Sequence, residues 1–359
     1  MDKKNKNPNV PNLRFLKFNQ NYETLQLKNT LKIKSGKDQK QVEVENGIYN
    51  IYGTGGIIGH TNTFLYDKES VGIGRKGTID KPVYFDQPFW TVDTLFYSEI
   101  YEGFIPKYIF YLFQTINWKK YNTSTGVPSL TSSSIENIEK SFPCYDEQLK
   151  VANFLTMIDM RIETQIKIIN DYKILKNHII KSYIKQNGTS YLLSEIAELG
   201  RGRVINSAEI SKQKNPIYPV YSSQTSNNGI MGYLDNYDYE GEYITWTTDG
   251  ANAGTVYYRN GKFNCTNVCG ILKIKNGYDA YYISNILNCY TKKYVSTNLA
   301  NPKLMNNVMA NIKINLPSTE QQKHSSKILQ SIEYRVEIEE DIKLNLVKQK
   351  AFLLKNMFI

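Results

Sequence analysis

The chain of 359 residues carries 44 Lys and Arg against 34 Asp and Glu, a formal net charge of +10. With 41% hydrophobic and 22% charged residues its composition excludes a disordered chain, and its length allows two or three folded units. It shows no apolar leader and no apolar window of about 18 residues, so a secreted or membrane-spanning protein is not expected; a cytoplasmic protein with an anionic partner is, nucleic acid first.

From the amino terminus, a lead-in NVPNLRFLKF gives way to an irregular, Gly-rich region. There GIYNIYGTGGIIGH and VGIGRKGTI alternate β-branched and aromatic runs with turns, the pattern of short strands. The stretch Gly53 to Gly59 superficially resembles a dinucleotide-binding loop. Ile58 takes the place of its third glycine and no βαβ unit follows, so it is read as a hairpin turn. From Val151 the apolar residues Leu155, Ile158, Ile162, Ile166, Ile169, Tyr172, Leu175, Ile179 and Tyr183 follow in steps of three or four. That spacing predicts one amphipathic helix of about 35 to 40 residues, roughly 55 Å long. Pro143 precedes it and Asn187-Gly188 ends it. A second strand-rich region, including EGEYITWTTDGANAGTVYYRNGKF, then leads to a second predicted helix from about Glu320, with Ile328, Ile332, Val336, Ile342, Leu346 and Leu353 on its stripe.

The two halves are copies of one another, about 173 residues apart. Ile48 to Gly53 (IYNIYG) is echoed by Ile217 to Ser222 (IYPVYS), and Gly56 to His60 by Gly229 to Tyr233. Lys119-Lys120-Tyr121 returns as Lys292-Lys293-Tyr294, Pro128 and Leu130 as Pro302 and Leu304, and Glu147-Gln148 as Glu320-Gln321. A long helix with a narrow apolar seam cannot bury it alone, so the two helices are expected to pair, antiparallel if the halves are related by a twofold axis.

This plan resembles the specificity subunit of bacterial type I restriction-modification systems, over nearly the whole chain. The most specific stretch is TSTGVPSLTSSSIENIEKSFPCYDEQLKVANFLTMIDMRIE, which looks like the junction from a target-recognition domain into the central helix; its second copy departs at His324-Ser325-Ser326. The resemblance implies an α+β fold of two similar α/β target-recognition domains, residues 1–146 and 188–317. Each is followed by a long helix, 147–187 and 318–359, the two forming an antiparallel coiled coil with pseudo-twofold symmetry. It also implies a non-catalytic subunit that reads a bipartite, asymmetric site on double-stranded DNA, with half-sites centred about one helical turn, roughly 34 Å, apart and an unread spacer. Partners would be two methylase subunits docked on the coiled coil and motor-nuclease subunits reached through them; S-adenosylmethionine, ATP and Mg²⁺ would be bound by those partners, with no cofactor or metal on this chain.

The residues agree with that division of labour. Methyl transfer needs an Asn/Asp-Pro-Pro-aromatic loop, and Asn215-Pro216-Ile217-Tyr218 is read as a turn before a strand. Asp171-Tyr172-Lys173 offers part of a nuclease triad but falls on the helix without an upstream acid, and no nucleotide-binding Gly-Lys-Ser/Thr loop occurs. Cys144, Cys265, Cys269 and Cys289, with His60, His178 and His324, lack zinc-site spacing and are expected to be reduced structural residues. The candidates for DNA contact are cations and small hydroxyl residues in loops. In the first domain they are Arg75, Lys76, Lys119, Lys120, Tyr121, Thr123 and Ser124, and in the second Arg201, Arg203, Thr248, Lys292, Lys293, Tyr294 and Thr297. Competing readings are a self-contained modification enzyme, which would need the missing motifs, the recognition subunit of a related non-type-I system, and an orphan DNA-binding or structural coiled-coil protein, which leaves the charge unexplained when purely structural.

Overall fold

The computed structural model describes residues 10–185, 188–296 and 301–359. The chain divides into two compact units: unit 1 runs to Lys167 and takes in Glu340–Ile359, and unit 2 is Ile168–Glu339. The long helices therefore form no separate body. Each contributes one end to each unit.

Unit 1 is built from strands β1 (Glu23–Gln26), β2 (Leu31–Ser35), β3 (Tyr49–Gly53), β4 (Gly56–Thr61), β5 (Ser70–Gly74), β6 (Val83–Phe85), β7 (Phe89–Thr91) and β8 (Leu95–Ile100). Helices α1 (Pro106–Thr115) and α2 (Ser132–Glu136), strand β9 (Glu139–Phe142) and the start of helix α3 (Tyr145–Ile184) follow. The strands form the sheets β2-β8-β5-β6 and β4-β3-β7 and the antiparallel pair β1-β9. In β2, Leu31 and Ile33 are buried and Lys32 is exposed, the period of two that a half-covered strand requires, whereas β5 is buried throughout. α1 starts on Pro106, whose fixed φ suits a first helical position, and buries Tyr108, Ile109, Tyr111, Leu112 and Phe113 in the core. The same core takes Val151, Leu155 and Ile158 from α3 and Leu353 and Met357 from the last helix, α8 (Thr319–Met357).

The lead-in locks this corner. Arg14 donates from Nε and a terminal nitrogen to the two carboxylate oxygens of Glu147, at 2.8 and 2.7 Å, and Tyr22 donates to the same carboxylate at 3.1 Å. Glu147 is completely buried, so the guanidinium is its charge partner. Within unit 1, α3 and α8 run antiparallel: Asp159 pairs with Lys350 at 2.6 Å, and further along α3 Thr164 and Gln165 share a groove with Ile342 and Leu346.

Unit 2 repeats the plan with β10 (Thr189–Leu192), α4 (Leu193–Ile196), β11 (Ala197–Arg201), α5 (Ser207–Ser211), β12 (Tyr218–Tyr221), β13 (Ile230–Leu234), β14 (Tyr239–Thr247), β15 (Val256–Cys265) and β16 (Cys269–Ile274). It continues through α6 (Ala280–Tyr290), α7 (Asn306–Ala310) and β17 (Lys313–Leu316) into α8. β10 pairs with β17 as β1 pairs with β9, and β12 runs parallel to β15 as β3 runs parallel to β7. The difference lies in one strand. In unit 1 Asp86-Gln87-Pro88 interrupts the chain between β6 and β7, and a proline has no N–H for the ladder. In unit 2 the ten residues of β15 run on unbroken and join the six strands other than the β10-β17 pair into one sheet, β11-β16-β14-β15-β12-β13. Here too the two helix ends are antiparallel, with Lys176 paired to Glu333 at 3.4 Å and Tyr183 beside Gln321 and His324.

Two expectations need correction. On α3 the buried seam passes through Gln165, Ile169 and Ile180, while Ile166 and Leu175 are exposed. A helix of 3.6 residues per turn drifts away from a strict three-and-four spacing over this length. The counterpart of Gln148 is Gln322, one residue beyond the sequence match. Gln148 accepts from the N–H of Ile105 ahead of α1 and donates to the carbonyl of Pro143; Gln322 accepts from Asp279 ahead of α6 and donates to Pro317. With that register the buried Val151 and Ala152 correspond to the buried Ser325 and Ser326, and the Ser326 hydroxyl bonds Asp279 at 2.6 Å.

Candidate nucleic-acid interface

In unit 1 the turn after β5 is bound to the loop that precedes α2. The Arg75 N–H donates to the carbonyl of Thr94 (2.7 Å), the Arg75 carbonyl accepts from Leu130 (2.9 Å), and Gly77, at φ +86, donates to Pro128 (2.9 Å). Asn122 closes the second loop by accepting from the N–H groups of Ser124 and Ser129, at 3.1 and 2.9 Å. A cleft of about 290 Å³ opens there, lined by Arg75, Lys76, Ser129 and Thr131 among others. The fold thus brings Arg75, Lys76, Thr123 and Ser124 onto adjoining loops, and Lys119 joins them through an ion pair with Asp80 at 3.5 Å. Lys76 and Lys120 are exposed and have no carboxylate partner among the described residues. Tyr121 is half-buried against the core.

Unit 2 carries the same framework with other side chains. The Thr248 carbonyl accepts from Leu304 (2.8 Å) and Gly250 donates to Pro302 (3.0 Å), so Thr248 and Asp249 stand where unit 1 has Arg75 and Lys76. Thr248 is fully buried, with its hydroxyl 2.6 Å from Asp249 Oδ2 and 2.9 Å from the Val268 carbonyl, so unlike the other described residues of the expected contact set it offers no exposed group to DNA. Asp249 pairs with Lys303 at 3.5 Å. Lys292 and Lys293 lie on a 3-10 turn after α6, as Lys119 and Lys120 do after α1. The Lys292 ammonium is 3.2 Å from both the Ala253 carbonyl and the Thr255 hydroxyl, and that of Lys293 sits over the rings of Tyr290 and Tyr294.

Of the two arginines, Arg201 is half-buried and donates to Asn306 at 3.0 Å. Arg203 is gripped by Glu209 at 2.7 Å and Asp238 at 3.0 Å, and its guanidinium holds the Glu209 carboxyl below the ordinary carboxylate range. Its charge is already spoken for. Thr297 and the helix boundary expected at Asn187 lie outside the described residues.

One cation escaped the sequence reading. Arg259, in the middle of β15, is only 4% exposed and no carboxylate of the described residues pairs with it. Its guanidinium lies 3.6 Å from the centre of the Tyr221 ring and 4.4 Å from that of Tyr257, donating to the Thr245 hydroxyl (3.2 Å) and the Asn228 carbonyl (2.9 Å). Burial pushes its pKa down. It lies beneath the β12–β13 connection, residues 222–229, which in unit 1 is the two-residue hairpin turn Thr54-Gly55. A sequence signal existed: the spacing from the IYNIYG/IYPVYS match to the following glycine match is four residues longer in the second copy.

Among the described residues, no three His, Cys, Asp or Glu side chains converge as a metal site, and no helix is long and apolar enough to cross a membrane. The family model described as "Type I restriction modification DNA specificity domain" matches residues 19–171 and 187–349. A Mycoplasma pneumoniae (strain ATCC 29342 / M129 / Subtype 1) protein assigned as type I specificity subunit S.MpnORF365P is 37% identical over 224 residues, 60% of this chain and 82% of the relative. The type I restriction enzyme MpnII specificity subunit of the same organism is 39% identical over 172 residues, 47% of this chain and 51% of that one. In three dimensions the chain is similar to the type I restriction-modification S subunit from M. genitalium, with a TM-score of 0.69 at 17% identity over 98% of this chain and 99% of that one. A chain from a structure of the type I restriction-modification system gives 0.58 at 11% identity, over 93% and 96%.

Proposed function

Because the chain belongs to the type I restriction-modification DNA specificity family, we propose that it is the DNA-recognition subunit of such a system, with each unit reading one half of a bipartite, asymmetric site. The observation that carries the asymmetry is the shared framework with exchanged chemistry. Where unit 1 sets Lys76, a cation with no carboxylate partner among the described residues, opposite Ser129, unit 2 sets Asp249, neutralised by Lys303. The same backbone therefore presents a different potential to a phosphate or a base edge in each unit. Lys76, Lys120, Lys292 and Lys293 supply backbone neutralisation, with Arg75, Thr123 and Ser124 beside the first pair and Tyr294 beside the second.

Catalysis then belongs to partners: methylase subunits, two per chain, that bind S-adenosylmethionine, and through them motor-nuclease subunits that use ATP and Mg²⁺. The paired helix ends are the natural platform, since Met157 and Met160 on α3 and Val347 and Phe352 on α8 are exposed apolar residues of a kind that marks protein contacts. A cytoplasmic location follows from the DNA substrate.

Co-expression of the chain with methylase subunits from its own genome, followed by sequencing of methylated adenine in host DNA, tests the assignment. One gapped motif with two different halves is expected. A complex that methylates a symmetric or ungapped motif, or none, would overturn it.

A further inference from the structure

We propose that residues 222–229 of unit 2 form a recognition loop for a half-site containing adenine, with the amides of Asn227 and Asn228 as its base-reading groups and Arg259 as the residue that positions them. The proposal rests on the DNA-recognition reading above and names the bases one unit selects.

Three features support it. The first is the loop's conformation: Asn227, Asn228 and Gly229 all have left-handed backbones, with φ of +48, +52 and +82, and the two asparagines are the non-glycine residues with positive φ among those described. Asparagine enters this region more readily than other non-glycine residues, and a run of three left-handed residues gives the loop a defined, outward-turned course. The surroundings hold it there. Ser222 donates to Gly229 across the loop's base at 2.9 Å, Gln224 donates to Ile230, and Asn252 reaches from the β14–β15 connection to Thr225 at 3.1 Å.

The second feature is Arg259. Burying a guanidinium without a carboxylate is costly, and a well-packed apolar residue would serve the core at least as well. What the arginine adds is a planar fork of donors fixed between two tyrosine rings, one arm of which holds the carbonyl of Asn228. A Cβ on Gly229 would come within 3.1 Å of that fork, so loop and arginine are fitted to each other.

The third feature is what the loop presents. Asn227 and Asn228 are exposed, and their side-chain amides make no hydrogen bond among the described residues. Each carries one acceptor and one donor group side by side, the complement of adenine N6–H and N7 in the major groove. Unit 1, with its tight Thr54-Gly55 turn, has no counterpart, so one half-site alone should depend on this loop.

The test uses the full chain assembled with its methylase subunits and reads the methylated motif. Asn227→Gly with Asn228→Gly removes both amides and keeps a residue at ease with positive φ. It should lower discrimination at one or two A·T positions of a single half-site by roughly 5- to 150-fold, the range for a bidentate amide–adenine pair. The other half-site, unchanged, shows that the chain has folded and assembled. Arg259→Lys keeps the charge but not the fork, and should relax the same positions without lowering methylation at every site. An unaltered motif in the double variant, or relaxation confined to G·C positions, would overturn the proposal. A wild-type complex that methylates no gapped motif would instead overturn the recognition reading itself, and this proposal with it.

Discussion

Replacing Lys76 and Lys120 by alanine, singly and together, separates cations that meet DNA from those the fold has already neutralised. Each lysine is exposed and has no carboxylate partner among the described residues, so each can release one condensed counterion on contact with a phosphate. A contact of this kind steepens the plot of log affinity against log salt by about 0.9, which between about 50 and 200 mM salt amounts to roughly 3.5-fold in affinity. Over that range the double variant should lose about 12-fold less affinity than the wild type. Arg203→Ala is the control. With Glu209 and Asp238 on either side, Arg203 has no charge left to exchange, so its removal should shift affinity through the two released carboxylates while leaving the slope unchanged. Fluorescence anisotropy of the assembled complex on a duplex bearing its motif, across a salt series, gives the slopes of the wild type and of all four variants. An Arg203→Ala slope change as large as that of Lys76→Ala would refute the use of ion pairing to sort the interface.

Arg14→Ala leaves the fully buried Glu147 carboxylate without its cation and should cost about 3–5 kcal/mol, read by urea denaturation; a loss below 1 kcal/mol would mean that water reaches the carboxylate. Gly270→Ala would place a Cβ 2.2 Å from the indole of the buried Trp246, whose N–H is tied to the Leu304 carbonyl, and should destabilise unit 2 by about 1–3 kcal/mol in the same assay.

What could be read from the sequence was whatever repeats or recurs with a period. The long helices announce themselves by apolar steps of three and four, and the Lys-Lys-Tyr echo does mark one structural position, the 3-10 turn after α1 and α6. Pairings between distant residues were hidden. Arg203 looks like a loop cation until Asp238, 35 residues on, is seen to hold it, and Thr248 looks like a turn hydroxyl until the fold closes over it. The match of Glu147-Gln148 to Glu320-Gln321 follows letters, while the hydrogen bonds follow Gln148 and Gln322, because an amide that caps a neighbouring helix is conserved by geometry and not by its neighbours. Arg259 sits in a tyrosine-rich strand, where nothing local distinguishes a buried cation from an exposed one.

The division of each long helix between units bears on how the protein is made. Leu155 and Ile158 belong to a core that also needs Leu353 and Met357, and all of unit 2 is translated between them. At about 5–20 residues per second, the first unit to leave the ribosome waits on the order of ten seconds or more with part of its apolar face uncovered. Unit 2, contiguous in the chain, can close first and hold the start of α8 in place while the remainder of that helix emerges. During that interval chaperones have their access, and a nascent chain stalled short of Glu340 would expose the first unit's unfinished core.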